Sequence, residues 1–66
     1  MNAVKVPRLR EWRDFYAWSQ EDLAERARVG RSTISRAEKG EHIRPSSVRK
    51  LARALKVRPS DLQEPV

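Results

Sequence analysis

The sequence of 66 residues contains no cysteine and only one histidine. Disulfide bridges and thiolate zinc sites are therefore excluded, and we expect no metal site. The uncharged stretches are too short to cross a bilayer or to act as a secretory signal, so we expect a cytoplasmic protein without a membrane partner. A chain this short forms one domain at most, and its small core depends on hydrophobic packing.

Residue combinations typical of enzymes are also missing. No nucleophile is accompanied by a plausible base, no pair of carboxylates lies in an apolar setting, and two glycines are too few for a phosphate-cradling loop. His42 lies in a polar segment and is interpreted as an ordinary surface residue. The sequence therefore predicts no enzymatic activity, no cofactor and no small-molecule substrate.

Positive charge is what the chain has in excess, with a net charge of +6 that is unevenly distributed. Residues 1–25 contain four Lys or Arg against five Asp or Glu, a net charge of −1. Residues 26–58 contain eleven against two, a net charge of +9, and residues 59–66 contribute −2. A field this concentrated favours a polyanionic partner, most commonly nucleic acid. On charge alone, a solvated basic surface and a contact with anionic lipid are the alternatives.

The spacing of the apolar residues predicts an all-α fold, because they recur at i, i+3, i+4 and i+7 along several segments. The predicted helices cover about 8–16, 20–28 and 31–39, a fourth runs from a cap at Ser46 or Ser47 to about 56, and a last turn follows at 59–62. Ser19 with Asp22 is predicted to cap the second helix, and Ser46 or Ser47 the fourth. We expect a compact bundle of four to five helices over residues 7–64, preceded by an arm at 1–6 and followed by a tail at 65–66.

The predicted third helix is short and has two different sides. One side is apolar and is centred on Ile34 and Ala37 when successive residues are stepped by about 100°. The opposite side carries small hydroxyl groups, which permit a close approach, and long cations, which reach outward. Its residues are Ser32, Ser35, Arg36 and Lys39, with Arg31 and Thr33 at the flanks. We interpret this side as a binding surface.

The segment WSQEDLAERARVGRSTISRAEKG, from Trp18 to Gly40, resembles the helix-turn-helix of the Xre/Cro family, which includes the lambdoid phage repressors. LREWRDFY before it and RPSSVRKLARALKVRPSDL after it are similar to the remaining helices of that family. The resemblance implies a lambda-repressor-like fold. Two positions depart from the pattern, since Arg28 stands where the turn usually has glycine and Gly30 where a serine usually caps the next helix. Arg28 is interpreted either as a phosphate contact or as a solvent-exposed side chain.

Roles for individual residues follow from the resemblance. Gln20 corresponds to a phosphate anchor at the start of the second helix, although a plain surface glutamine is the alternative. Residues expected at base edges are Arg31, Ser32 and Arg36, flanked by Thr33 and Ser35, and those expected at phosphates are Lys39 and Arg44. Arginine binds guanine bidentately, so we expect a guanine in each half-site. For Lys39 and Arg44, a simple solvated charge is the alternative.

Arg13 and Glu38 are charged residues on the apolar sides of their predicted helices. Some members of the family have a buried Arg and Glu between helices 1 and 3, so the resemblance implies a structural ion pair here. Both residues are therefore excluded from the set that is expected to contact bases.

The predicted function is sequence-specific binding of double-stranded DNA by a transcriptional regulator, in the first instance a repressor. The resemblance implies a homodimer on a palindromic operator, with its two recognition helices about 34 Å apart. An autoregulating antitoxin and a restriction-modification controller are alternatives of the same class. A protein-interaction adaptor acting through the region of Phe15 and Tyr16 is the alternative from a different class.

Overall fold

Five helices follow one another along the chain in this computed structural model, which describes residues 3–63. They are α1 (Leu9–Phe15), α2 (Gln20–Ala27), α3 (Arg31–Glu38), α4 (Pro45–Leu55) and α5 (Pro59–Gln63). The β-type pairing found among the described residues is a single antiparallel bridge between Val4 and Ile43. The prediction of an all-α fold is confirmed. Within residues 3–63, no helix combines the length and hydropathy that a bilayer crossing requires.

The start of α2 is fixed by a reciprocal pair of hydrogen bonds. The backbone N–H of Asp22 donates to Ser19 Oγ at 3.0 Å, and the backbone N–H of Ser19 donates to Asp22 Oδ2 at 2.9 Å. Two donors that the helix leaves without an intrahelical partner are satisfied in this way. The bonds from Ser19 also hold the pKa of the Asp22 carboxyl below its ordinary value. The carboxylate therefore stays ionised at the positive end of the helix dipole.

In the turn between α2 and α3, the left-handed position and the N-cap position are occupied by unusual residue types. Arg28 adopts the left-handed conformation, with φ 58° and ψ 44°, and caps the C-terminus of α2. Gly30 has φ −61° and ψ 141°, an ordinary extended conformation, and is the N-cap of α3. A non-glycine residue thus occupies the conformation that favours glycine. The turn is formed despite both departures from the family's pattern.

The fourth helix begins earlier than predicted, and its capping residue differs. Its N-cap is Arg44, which makes no side-chain capping bond, and Pro45 occupies the first helical position. The expectation that Ser46 or Ser47 caps this helix is wrong. The fixed φ of proline suits the first turn, where its missing N–H is not needed, so both serines lie inside the helix.

Within residues 3–63, the core is a continuous cluster of twelve buried apolar side chains to which every helix contributes. Its fully enclosed members, at 0% exposure, are Leu9, Leu23, Ile34, Leu51, Leu55 and Leu62. Helix α2 packs against both α3 and α4, and α5 packs against α4. The segment predicted as an N-terminal arm also takes part, because Val6 is 2% exposed and Val4 exchanges two backbone hydrogen bonds of 2.8 Å with Ile43.

Candidate nucleic-acid interface

Helix α3 has one buried side and one open side. Ile34 is 0% and Ala37 2% exposed, so these two residues hold the helix against the core. On the open side Arg31, Ser32 and Arg36 are exposed to solvent. We call the surface formed by Arg31, Ser32, Thr33, Ser35, Arg36 and Lys39 the outer face of α3. The structure leaves this face free of other helices at Ser32 and Arg36, so a partner can approach it.

Two of the three hydroxyl side chains of the outer face are less accessible than its cations. Thr33 and Ser35 are half-buried, whereas Lys39 at the end of the helix is exposed. The guanidinium Nη2 of Arg36 donates to Thr33 Oγ1 at 3.5 Å, a long bond that holds the arginine only loosely. The cations and Ser32 are therefore the accessible groups of the outer face.

A cleft of about 360 Å³ separates the outer face of α3 from the segment that leads into α4. It is lined by Thr33 and Arg36 of α3 and by Ala3, His42, Ile43, Arg44 and Ser47. Two cations that the sequence predicts as DNA contacts, Arg36 and Arg44, are brought to one opening in this way. His42 and Ser47 were not predicted to contribute, because helical periodicity does not show where the loop after α3 runs or where it places the first turn of α4.

The cations around this surface have no carboxylate partner in the described part of the chain. The ion pairs formed within residues 3–63 involve Arg8, Arg10, Arg13 and Arg58. Arg31, Arg36, Lys39 and Arg44 are in none of them. Their positive potential is consequently not neutralised locally, which favours an anionic partner.

Arg13 and Glu38 lie in direct contact between α1 and α3. Arg13 Nε donates to Glu38 Oε2 at 2.6 Å and Nη2 donates to Glu38 Oε1 at 3.0 Å, a bidentate geometry. A third bond runs from Arg13 Nη1 to the carbonyl oxygen of Trp18 at 2.7 Å. The two side chains are only 12% and 7% exposed, respectively. The pair therefore joins the first helix to the back of the third and does not face the open side.

Burial, hydrogen bonds and neighbouring charges together control the ionisation of this pair. Burial has the largest single effect on Glu38 and acts to raise its pKa, but hydrogen bonds from Arg13 and Gln20, together with the positive charges of Arg13 and Arg10, outweigh burial, and the net shift is downward. The hydrogen bond to Glu38 likewise raises the pKa of Arg13, against the opposing effect of burial. Both groups therefore remain charged across the neutral range.

Gln20 has a contact that the sequence did not predict. Its amide Nε2 donates to Glu38 Oε1 at 3.0 Å, so the side chain is tied to the Arg13–Glu38 pair. A primary amide has two N–H donors, and this bond uses one of them. Gln20 is the first residue of α2 and half-buried, so its second donor lies beside the positive end of that helix. This arrangement is compatible with an anchor for a phosphate oxygen.

Comparison with known proteins identifies the family of the chain. The sequence profile of the helix-turn-helix family matches residues 9–62, which includes all five helices apart from the last residue of α5. No curated protein sequence shows significant similarity to the chain.

Two solved structures have the same fold. The restriction-modification controller protein C.AhdI from Aeromonas hydrophila is 38% identical, with a TM-score of 0.78, over 83% of this chain and 85% of that one. A hypothetical transcription factor from Neisseria, NHTF, is 36% identical, with a TM-score of 0.79, over 88% of this chain and 66% of that one. The chain belongs to the Xre-type helix-turn-helix family of DNA-binding transcription regulators.

Proposed function

We propose that the protein binds a specific palindromic sequence in double-stranded DNA as a homodimer and regulates transcription of the adjacent genes. The observation that carries this proposal is the exposure of Arg31, Ser32 and Arg36 on one side of α3 while Ile34 and Ala37 fix the other side in the core. A helix held in this way is rigid enough to present its side chains to base edges in a major groove. The proposed site of action is the cytoplasm, where such an operator would lie.

The residues of the outer face divide into two proposed roles. Arg31 and Arg36 have the length and the two-pronged geometry to bind guanine O6 and N7, and Ser32 can contact either kind of base pair. Thr33 and Ser35 lie lower on the face and contact neighbouring bases or thymine methyl groups. Lys39, Arg44 and Gln20 bind phosphates and set the register of the protein on the duplex; such contacts carry little sequence information.

Control of a restriction-modification system is the specific role that we favour within this class. Its support is the 38% identity to C.AhdI, a restriction-modification controller protein, over 85% of that protein's length. The similarity includes the helix-turn-helix, and the chain is close to C.AhdI in extent. Regulation of the protein's own gene together with restriction-modification genes would then replace the simpler role of a repressor of unrelated genes.

Selection from a pool of random duplexes, followed by sequencing, tests the proposal directly. We expect a palindrome with guanine in both halves and with half-sites about one helical turn, or about 34 Å, apart. The double variant Arg31→Ala, Arg36→Ala should lose binding to the selected duplex and keep its helical circular dichroism. Arg49→Ala, an exposed change on α4, is the control that should keep binding.

Two outcomes would contradict the proposal. If no sequence is enriched, the protein does not read bases, and binding is a property of its charge. If the Arg31, Arg36 double variant binds the selected duplex as tightly as the unmodified protein, α3 is not the reading element. The adaptor alternative, in which Phe15 is the contact, would be favoured if capture of a partner protein depended on Phe15 and not on Arg31.

A further inference from the structure

We propose that a second groove, between the end of α2 and the middle of α4, binds phosphate groups. The groove has a volume of about 490 Å³ and shares no lining residue with the cleft beside α3. It is lined by Arg26, Ala27, Arg28, Lys50, Arg53 and Ala54. We call it the α2–α4 groove. None of its residues belongs to the outer face of α3.

The charge of the α2–α4 groove is strongly one-sided. Four of its six lining residues are cations, and no carboxylate lines it. None of the four takes part in the ion pairs formed within residues 3–63. Ala27 is buried and Ala54 is half-buried, so small apolar side chains form the floor between the cations. An apolar floor lowers the local dielectric and strengthens the attraction of the groove for anions.

The helix dipole does not account for so much positive charge. The C-terminal end of α2 carries about half a negative charge, which one nearby cation such as Arg28 more than balances. Arg26 is partly committed elsewhere, because its guanidinium lies 4.4 Å from the centre of the Trp18 ring. The charges of Lys50 and Arg53 on α4 are then not balanced by the helix dipole. The uncompensated charge of the groove is therefore at least two.

The position of the groove connects it with the cleft beside α3. Ser47 lines that cleft, and Lys50 and Ala54 line the α2–α4 groove. These three residues are spaced i, i+3 and i+7, so they lie on one side of α4. Seven residues of helix span about 10 Å, a distance that a duplex backbone covers within a few phosphates. The phosphates can thus come from DNA beyond the bases that α3 reads, or from a free polyphosphate compound.

A matched pair of variants isolates the groove from the general charge of the protein. Lys50→Gln, Arg53→Gln removes two cations that line the groove. Arg49→Gln, Lys56→Gln removes two exposed cations of the same region that do not line it. Both double variants have the same net charge, so a difference between them reports the groove. All four side chains are exposed, and we expect both proteins to fold like the unmodified chain.

The first measurement uses the protein without DNA and pyrophosphate as the probe, followed by NMR of the backbone amides of Ala27, Arg28 and Ala54. We expect pyrophosphate to shift these signals in the unmodified protein. The groove variant should bind pyrophosphate about tenfold or more weakly, because it loses the charge-assisted hydrogen bonds that Lys50 and Arg53 donate. The control variant should bind like the unmodified protein.

The second measurement is the dependence of DNA affinity on salt, with the selected duplex alone and with about ten additional base pairs on each side. If flanking DNA occupies the groove, the groove variant lowers the slope of log affinity against log salt by about 0.9 per lost phosphate contact, on the longer duplex only. If a free polyphosphate is the ligand, pyrophosphate binding is lost and the slope does not change. Either result supports the proposal and identifies the source of the phosphate.

The proposal is overturned if the groove and control variants behave alike in both measurements. The DNA measurement rests on the proposed function, whereas the pyrophosphate measurement does not. A protein that enriches no duplex sequence but binds pyrophosphate through Lys50 and Arg53 would refute the proposed function alone. If the protein binds its operator but the groove and control variants behave alike, only the proposal about the α2–α4 groove is refuted.

Discussion

Glu38 accepts hydrogen bonds from side chains on two other helices, Arg13 on α1 and Gln20 on α2. Glu38→Gln keeps the shape of this side chain but leaves the Arg13 guanidinium, 12% exposed, with only the exposed carboxylate of Asp14, 3.7 Å away, as a counter-charge. We expect the free energy of unfolding to fall by about 3 kcal/mol, the lower end of the cost of breaking a buried pair, since Arg13 keeps some solvent contact. Urea unfolding followed by circular dichroism measures this change.

The matched control for Glu38→Gln is the double variant Arg13→Met, Glu38→Leu, which removes both charges and preserves most of the volume. Its stability should return to near that of the unmodified protein, because no buried charge is left unpaired. If Glu38→Gln alone unfolds at the same urea concentration as the unmodified protein, the ion pair contributes nothing to stability.

The same carboxylate predicts a dependence of stability on pH. The pKa of Glu38 is lowered in the folded protein, so its contribution is complete above the ordinary value of 4.5 and disappears as the pH falls through the folded value. Asp22 and Asp61 also have a lowered pKa and contribute in the same acid range. Comparison of the unmodified protein with Glu38→Gln between pH 7 and pH 2 cancels their effect. A stability difference between the two proteins that stays constant over this range would contradict a lowered pKa of Glu38 in the folded protein.

At the scale of helices, the described part of the chain shows a repeated mode of termination. Ala17, Arg28 and Lys56 each have φ 58° just at or after the end of a helix, where glycine is usual. A left-handed residue with a Cβ costs about 1–2 kcal/mol, and glycine there loses about 0.5–1 kcal/mol through the flexibility of the unfolded chain. Ala17→Gly should therefore raise the free energy of unfolding by about 0.5–1 kcal/mol, measured by urea or thermal unfolding.

Ala24→Gly provides the control for this prediction, because Ala24 has helical geometry inside α2. Glycine there should lower the stability by about 1 kcal/mol. A loss of stability in both variants would show that the strain of the left-handed conformation at Ala17 is smaller than the entropy cost of glycine. Arg28 is less suitable for the test, because its side chain lines the α2–α4 groove.

The helices themselves could be predicted from the sequence because their causes are local. Apolar periodicity indicated the first four, Pro59 with the residues after it indicated the last turn, and Ser19 with Asp22 forms the capping box expected from their spacing. The predicted start of α4 was wrong because Pro45 and the two serines after it are all suited to the beginning of a helix. Which of them is used depends on the path of the preceding loop. The participation of Val4 and Val6 in the core could not be foreseen for a similar reason, since their partners are distant in sequence.

The candidate site was predictable only in part. Periodicity alone places Ser32 and Arg36 on the open side of α3, and the structure exposes both. The roles assigned to individual side chains rest on the family's pattern and stay predictions until DNA contacts are measured. The bond from Gln20 to Glu38, the cleft shared by Arg36 and Arg44, and the α2–α4 groove each require two or three elements to meet. Contacts between elements that are distant in sequence are not indicated by the spacing of residues within one helix.

At the scale of the whole molecule, the concentration of charge predicts opposite responses to salt for folding and for DNA binding. Residues 26–58 carry a net charge of +9, and this self-repulsion destabilises the compact state when it is not screened. Raising the salt concentration from 50 to 200 mM should therefore raise the melting temperature of the DNA-free protein.

DNA binding should respond in the other direction. Lys39 and Arg44 from each protomer of the proposed dimer give about four phosphate contacts, for which affinity falls about 10²-fold over the same fourfold rise in salt. Thermal unfolding and fluorescence anisotropy with the selected duplex, in the same buffers, measure the two effects. A melting temperature that falls with salt would mean that local ion pairs such as Arg8–Glu11 outweigh the repulsion within 26–58. An affinity that does not change with salt would mean that the basic surface does not contact phosphates, whatever the bases read by α3.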